Sequence, residues 1–374
     1  VAGLYFHIPF CRKACHYCDF HFSTSLRLRK PMLSAMSTEL AFRMPLMVAN
    51  QLDTIYFGGG TPGYVDPEEI ASLIEAARAF KPIAPDAEIT LEANPDDISP
   101  EKLSKWKVAG INRLSIGIQS FRDSDLNAMN RSHDAQKAFE CVRLAQEAGI
   151  NNITIDLIYG LPHMDEGAWK ENVAKAISLN VPHISAYCLT VEPRTALANM
   201  ITKGQLPDVD EEMAARHYRI LVQILSEAGY SHYEVSNFAR PGHESRHNSA
   251  YWSGALYEGI GPSAHSYDGR TRSWNVANNA RYIKQIESGD PDRESETLTS
   301  DQQYNEYVLL GLRTARGIDT AEALNRFGRD IQALHHVEIA QWQAEGLMVA
   351  QGTVLRLTED GFFRADGIAG ALFS

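Results

Sequence analysis

Short apolar runs recur along the first two-thirds of the chain, separated by longer stretches of helical period. Leu4–Ile8, Thr54–Phe57, Glu88–Glu92, Arg113–Ile118, Ile153–Tyr159 and His183–Leu189 are brief and mostly continuous in hydrophobicity, as expected for parallel strands covered on both faces. Between them, Pro67–Phe80 follows a capping Asp66 and opens on proline. Ser99-Pro100-Glu101 repeats that start signal, and Ala135–Ala148 runs to a terminating Gly149. Six βα units in succession predict a parallel sheet with right-handed crossovers, curled into a partial barrel. Asp210–Ala228 is a further amphipathic helix, with Ala214, Tyr218, Leu221, Val222 and Leu225 at helical spacing. The pattern then changes. From about Phe238 to Asn279 Gly, Ser, Asn, His and aromatic residues dominate and the βα period is lost, which puts a domain boundary at Ala239–Glu244. Helices return at Asp301–Arg316, Thr320–Phe327 and Asp330–Glu345, followed by a hairpin, Leu347–Ala350 with Val354–Leu357, and a closing helix. The expected architecture is α/β: a partial (β/α)6 barrel over 1–238, then a smaller α+β domain over 239–374. The latter splits into an irregular region, 239–290, and a winged-helix-like end, 300–374.

Composition narrows the classes of function. With 44% hydrophobic and 22% charged residues in 374, the chain is ordinary globular protein. A net charge of −12 argues against nucleic-acid binding, which rests on basic patches facing phosphates. The winged-helix-like end shares this bias: residues 301–374 hold six Arg and no Lys against ten acidic residues, which favours a structural or partner-docking role. No apolar run reaches the ~18 residues of a membrane helix, and the first residues lack the features of a signal peptide. Five cysteines is an odd count, and three of them cluster. That distribution suits a metal site in a reducing cytoplasm better than a disulfide framework.

Cys11-Arg-Lys-Ala-Cys15-His-Tyr-Cys18 follows the first strand directly. Three soft thiolates on one loop can hold three irons of a [4Fe–4S] cluster, leaving the fourth open to an exogenous ligand. Structural zinc, with His16 or His21 as fourth ligand, is the competing assignment, but such sites usually pair two ligand turns far apart in sequence. Cys141 and Cys188 fall in helical and strand patterns and are expected in the core. After the second strand, Gly58-Gly59-Gly60 allows the backbone to approach a ligand closely, without the Gly-Lys-Ser/Thr end of a phosphate-binding loop. Glu92, Gln119 and Asp156 mark strand ends, where α/β barrels place binding groups. Arg131 is suited to pairing with a carboxylate.

Several motifs together carry a resemblance: Tyr5-Phe6-His7-Ile8-Pro9-Phe10-Cys11 with the cysteine triplet, Gly58-Gly59-Gly60-Thr61-Pro62, Leu91-Glu92-Ala93-Asn94-Pro95, Leu114-Ser115-Ile116-Gly117-Ile118-Gln119-Ser120-Phe121 and Asp156-Leu157-Ile158-Tyr159-Gly160-Leu161-Pro162. Over essentially the whole chain they resemble the coproporphyrinogen oxidase-like radical S-adenosylmethionine (SAM) family. The resemblance implies a radical SAM barrel, a [4Fe–4S] cluster on Cys11, Cys15 and Cys18, and SAM chelating the open iron. It implies SAM contacts at Tyr5, Tyr17, Gly59, Thr61, Glu92, Gln119, Arg131 and Asp156, and assigns no catalytic residue. The family has two groups. Oxygen-independent coproporphyrinogen III oxidases cleave SAM to a 5′-deoxyadenosyl radical and decarboxylate two propionates; the other group are heme chaperones. Phe20 stands where the oxidases carry a further cysteine, and no counterpart of their N-terminal extension precedes the first strand. His247-Asn248-Ser249-Ala250-Tyr251-Trp252 and Gly259-Ile260-Gly261-Pro262-Ser263-Ala264-His265-Ser266 are similar to the chaperone group. The resemblance thus points to a heme chaperone with His247 as axial ligand to the iron and Tyr251 and Trp252 over the porphyrin face. Without it, the same residues read as a loop histidine beside two core aromatics, with His265 a second histidine of interest. The implied partners are heme and a heme-accepting apoprotein such as a membrane-bound respiratory enzyme, and no nucleic acid; a homodimer is compatible with an exposed cluster loop.

Overall fold

A computed structural model describes residues 2–289 and 293–374. The expected βα units are present: β1 (Ala2–Ile8), α1 (Arg29–Arg43), β2 (Leu52–Gly59), α2 (Pro67–Phe80), β3 (Ile83–Ala93), α3 (Pro100–Val108), β4 (Arg113–Gln119), a short α4 (Asp123–Ala128), α5 (Ala135–Glu147), β5 (Asn152–Tyr159), α6 (Glu166–Ser178), β6 (His183–Cys188), a short α7 (Ala196–Thr202) and α8 (Glu211–Glu227). The six strands pair in parallel in chain order. Local chemistry sets the helix starts. The side chains of Ser99, Asp134 and Asp210 accept hydrogen bonds from Lys102, Lys137 and Met213 N–H groups, each cap contributing about 1 kcal/mol.

The strands alternate more strictly than their sequence suggests. Leu4, Phe6 and Ile8, Ile55 and Phe57, and Leu114, Ile116 and Ile118 are fully buried in the main hydrophobic core. The residues between them face the other way. Tyr56, Thr90, Glu92, Arg113, Ser115, Thr154, Asp156 and Ser185, from five strands, line one polar cavity of about 50 Å³. Side chains from β2 to β6 can meet around one small space only if the sheet curls.

The sheet extends beyond six strands. β8 (Asn237–Ala239) pairs antiparallel with β6 and carries β7 (Ser231–Glu234) outside it. At the other edge, after α9 (Arg246–Trp252), β9 (Leu256–Ile260) lies parallel to β1. β10 (His265–Tyr267), β11 (Thr271–Trp274) and β12 (Glu294–Thr297) follow antiparallel, with α10 (Asn279–Glu287) packed on α1. One 12-stranded sheet therefore runs across the boundary expected at Ala239–Glu244. β9 escapes the sequence pattern because it is short and polar at Glu258, and the partner that orders it is β1, far away in the chain.

The C-terminal end is winged-helix-like. α11 (Ser300–Leu312), β13 (Ile318–Asp319), α12 (Thr320–Phe327), α13 (Ile331–Leu334) and α14 (His336–Ala344) precede the hairpin β14 (Met348–Gln351) and β15 (Val354–Leu357), then α15 (Glu359–Phe362) and α16 (Ala365–Ala371). The three strands form a separate sheet, β13-β15-β14. The helix expected over Asp330–Glu345 is two, broken at His335, whose φ of −123° leaves the helical region. Cys141 is buried as expected, whereas Cys188 is exposed, because β6 ends at the open mouth of the barrel. Among the described residues, no helix is long and apolar enough to cross a membrane.

One buried charge ties the segment after β9 to α1. Glu39 of α1 has no solvent exposure. Its carboxylate accepts hydrogen bonds from Gly261 N (2.9 Å), Asn275 Nδ2 (2.8 Å), Tyr282 Oη (2.6 Å) and Arg293 Nη2 (2.8 Å). Arg293 also pairs with Glu258 at 2.6 Å and donates to the Gly259 carbonyl. Removing one partner of a buried pair strands the other, at a cost of roughly 3–5 kcal/mol. Equilibrium urea unfolding of Glu39→Ala should show a loss in that range. A loss below about 1 kcal/mol, the worth of an ordinary exposed pair, would show that the node does not hold β9 in place.

Candidate functional site

The cysteine loop is closed by backbone bonds from Cys11 N to Ser23 O (3.0 Å) and Ser23 N to Pro9 O (2.8 Å). His16 donates from Nδ1 to the Ala128 carbonyl (2.9 Å), and Asn130 Nδ2 donates to the Ala14 carbonyl (2.7 Å). His21 Nε2 lies 2.7 Å from Asn279 Oδ1, and the His21 carbonyl accepts from His7 Nε2 at 2.9 Å. Both histidines considered as zinc ligands thus anchor the loop instead. Cys11, Cys15 and Cys18 are free and partly exposed. Among the described residues, no three His, Cys, Asp or Glu side chains form a site for a single metal ion. A cluster, in which each thiolate binds its own iron, requires no such convergence.

A chain of hydrogen bonds links two of the thiols. Thr61 Oγ1 donates to Cys11 Sγ (3.6 Å), and Asn94 Nδ2 donates to Thr61 Oγ1 (3.2 Å). Arg131 Nη2 donates to Asn94 Oδ1 and to the Gly117 carbonyl, while Arg131 Nη1 reaches Cys15 Sγ at 3.2 Å and Tyr17 Oη at 3.5 Å. Burial opposes the charge on Arg131, yet Tyr17 and Cys15 hold its pKa above the usual value. Burial pushes the Cys11 thiol up to about 12. Its thiolate therefore depends on positive charge brought to the loop.

On the lumen side, Gly59 has φ of +102°, and a Cβ there would lie 2.6 Å from the His7 ring, so both conformation and space require glycine. Tyr5 Oη lies 3.2 Å from His7 Nδ1. Tyr56 Oη donates to Glu92 Oε1 at 2.8 Å. Burial raises Glu92 to about 7 and Asp156 to about 6, with Asp156 adding to the shift at Glu92. Gln119, at φ of +71°, turns back over Gly117 beside Arg131. The eight residues expected to contact SAM thus form two adjoining sets: Thr61, Tyr17, Gln119 and Arg131 around the thiols, and Tyr5, Gly59, Glu92 and Asp156 toward the lumen. Asn94, which joins Thr61 to Arg131, was not among them; a polar residue between a strand end and Pro95 was its signal. Tyr56 and Arg113 were also missed, and strict alternation along β2 and β4 would have turned both inward.

The His247 segment is a helix, α9, not a loop. Glu88 accepts from the Arg246 and His247 N–H groups, each at 3.0 Å, fixing the helix start to β3. His247 is buried. Its Nδ1 lies 2.8 Å from Thr54 Oγ1 and its Nε2 2.9 Å from Tyr251 Oη. Burial lowers its pKa to about 3, so the imidazole is neutral. Tyr251 stands edge-on to Tyr257 at 4.6 Å. The three residues expected to hold heme do not face one space. His247 lines a cavity of about 570 Å³ at the barrel mouth, with Tyr5, Phe20 and an exposed His265. Trp252 lines a cleft of about 610 Å³ toward the C-terminal helices. Tyr251 lines both and forms part of the wall between them.

Residues 5–176 match the Radical SAM superfamily, and residues 298–364 match the HemN C-terminal domain. The chain is 37% identical to the heme chaperone HemW of Bacillus subtilis over 99% of both chains. It is 36% identical to that of Mycobacterium tuberculosis over 99% of this chain and 94% of the relative. The chain belongs to the HemW family. Coproporphyrinogen III oxidase (HemN) from Escherichia coli, at 24% identity, superposes with a TM-score of 0.86 over 100% of this chain and 90% of its own, so the HemN fold is shared. Membership of the HemW family, with its radical SAM domain, implies a [4Fe–4S] cluster and SAM. The three free thiols and their hydrogen-bonded surroundings fit that cluster.

The raised carboxyls give a pH signature. Folding raises Glu92 from 4.5 to about 7, so the folded state holds a proton that the unfolded state releases, and stability falls as pH rises through that window. Glu92→Gln removes this loss while keeping an acceptor for Tyr56. In ligand-free protein, Glu92→Gln should gain on wild type between about pH 4.5 and 7, reaching on the order of 3 kcal/mol above it. Parallel stability–pH curves for the two proteins would contradict the assignment.

Proposed function

We propose that this chain is a heme chaperone that carries a [4Fe–4S] cluster and SAM and delivers heme to an acceptor protein. The observation that carries this reading is the near-full-length relationship to HemW, and α9 supports it by presenting a neutral imidazole beside the barrel mouth. In this reading Cys11, Cys15 and Cys18 hold the cluster. Tyr5, Tyr17, Gly59, Thr61, Glu92, Gln119, Arg131 and Asp156 hold SAM, and His247, Tyr251 and Trp252 hold heme. The cluster and SAM supply one-electron chemistry; the protein supplies position and electrostatics. Arg131 suits a ligand carboxylate, with Asn94 keeping its guanidinium in plane. Glu92 and Asp156 are poised to ionise against a ligand ammonium. Phe20, 69% exposed beside the cluster loop, offers an apolar ring at the mouth. Five free thiols suit a reducing cytoplasm, and a membrane-bound respiratory enzyme is the kind of acceptor we envisage.

His247 reaches iron through Nε2 only when Tyr251 moves, because Tyr251 Oη occupies that nitrogen. The test is an anaerobic heme titration of cluster-reconstituted protein followed at the Soret band. Wild type should saturate at a single heme per chain, and His247→Ala should bind more weakly with an altered spectrum. Weak, unsaturable binding indifferent to His247 would overturn the assignment. Tyr251→Phe frees Nε2 from a competing hydrogen bond worth about 1 kcal/mol, so it should bind heme several-fold tighter than wild type; unchanged or weaker binding would show that the bond does not mask the ligand.

A further inference from the structure

The turn after β3 reaches two of the three cysteines through a single side chain. Asn94 Nδ2 donates to Thr61 Oγ1 at 3.2 Å, and Asn94 Oδ1 accepts from Arg131 Nη2. Each of those partners touches a different sulfur. Thr61 Oγ1 donates to Cys11 Sγ at 3.6 Å, and Arg131 Nη1 donates to Cys15 Sγ at 3.2 Å. Thr61 follows β2, Asn94 follows β3 and Arg131 follows α4, so three separate segments meet, and Asn94 bonds both of the others. Arg131 Nη2 is held on its second side by the Gly117 carbonyl, which leaves Nη1 directed at Cys15. The same turn grips the cysteine loop again. Asn94 N donates to Asp97 Oδ2 at 3.3 Å, and Asp97 Oδ1 pairs at 3.2 Å with Arg12, the residue next to Cys11. An uncharged amide suits this place, because it carries a donor and an acceptor in one group. A carboxylate would hold Arg131 but would have no hydrogen for Thr61, and it would neutralise the guanidinium.

We propose that Asn94 is a positioning residue for the [4Fe–4S] cluster, holding Thr61 on Cys11 and Arg131 on Cys15 so that both sulfurs are bonded at once and the bound cluster is easier to reduce. The inference rests on the assignment of the cluster to the three thiols and is independent of the heme reading. Reduction adds one electron from an external low-potential donor; no bond to the protein forms or breaks, and the sulfurs share the added negative charge. Donors to those sulfurs stabilise that charge and raise the potential. Thr61 is a neutral donor at long range, whereas Arg131 is a charged one at 3.2 Å, and a charged bond is roughly twice as strong as a neutral one. Asn94 controls both. Its Nδ2 occupies a lone pair of the Thr61 hydroxyl and leaves the hydroxyl hydrogen for Cys11. Its Oδ1 stops the guanidinium from turning about the Gly117 contact.

The experiment is an anaerobic redox titration of the full-length, cluster-reconstituted chain without SAM, with dithionite as reductant. It is followed by electron paramagnetic resonance of the reduced cluster, beside iron and sulfide analysis. Asn94→Ala should load as much iron and sulfide as wild type, yet its reduction equilibrium should move about tenfold toward the oxidised form, a fall of ~59 mV for one electron. Asn94→Asp keeps the acceptor for Arg131 but adds a negative charge, so its potential should fall at least as far and its resonance spectrum should differ from that of wild type. Thr61→Val removes the neutral donor alone and should fall by less than Asn94→Ala. A wild-type potential in Asn94→Ala at full iron content would overturn the proposal, as would a loss of thermal stability with the potential unmoved; either would leave Asn94 a support of its turn. Failure of both Asn94 variants to fold or to load iron would also overturn it, because the residue would then belong to assembly of the loop. Absence of bound iron in wild type would sink the cluster assignment itself.

Discussion

A carboxylate with no solvent exposure costs several kcal/mol to bury unless donors replace its water. At Glu39 they do: three side chains, one of them a guanidinium, and a backbone N–H, drawn from the turn after β9, the approach to α10, α10 itself and Arg293. Because none of these donors lies in the barrel's own βα units, the carboxylate can be satisfied only if the later segment folds back onto α1. β9 is then held beside β1, and α9, which precedes it, is placed near the strand ends. Glu88 works from within the curl in the same way, taking the first N–H groups of α9. The position of His247 is thus set by two acidic residues, Glu39 and Glu88, that touch no ligand in the proposed scheme.

Much of this was legible in the sequence, and the division is physical. Elements built from contacts within some 15 residues were readable: the six βα units, the caps at Ser99, Asp134 and Asp210, and the terminal hairpin. The cysteine triplet was readable too, because ligand spacing on one loop is a local property. What depended on distant partners was not. β9 is a strand because β1 lies beside it, and nothing within Leu256–Ile260 announces this. His247 looked like a loop residue because α9 has only seven residues and is anchored by Glu88, about 160 positions away. Cys188 shows the reverse error: an apolar strand pattern says that a residue lies in the sheet, not whether that end of the sheet is covered.

The lumen explains how a parallel barrel can read as nearly continuous apolar strands and still be polar inside. Its inward positions are held by Tyr, Thr and Ser, which blur the alternation, with Glu92, Arg113 and Asp156 among them. Burial in this space raises Glu92 to about 7 and Asp156 to about 6, and at Glu92 the neighbouring Asp156 adds to the shift. A cationic ligand group entering there would favour the carboxylates by direct attraction, so binding and proton release would be linked. Around the thiols the logic is opposite. Arg131 brings a fixed positive charge to the loop that partly offsets the burial raising the Cys11 thiol.

Tyr251 joins these considerations to the problem a carrier faces, which is to hold its cargo and still let it go. An imidazole left open would bind iron as tightly as its chemistry allows. His247 instead has Nε2 already satisfied by Tyr251 Oη at 2.9 Å and Nδ1 by Thr54. In the proposed scheme iron would replace a hydrogen bond before gaining a ligand, and the apparent affinity would fall by the population of the opened state. The same bond re-forms as iron leaves, so the internal competitor lowers the net cost of release by what it adds to the cost of capture. Because the Tyr251 ring lines both the barrel-mouth cavity and the cleft, the proposed capture of iron by His247 would alter the wall between those two spaces. One side chain would then couple the state of the cargo to both.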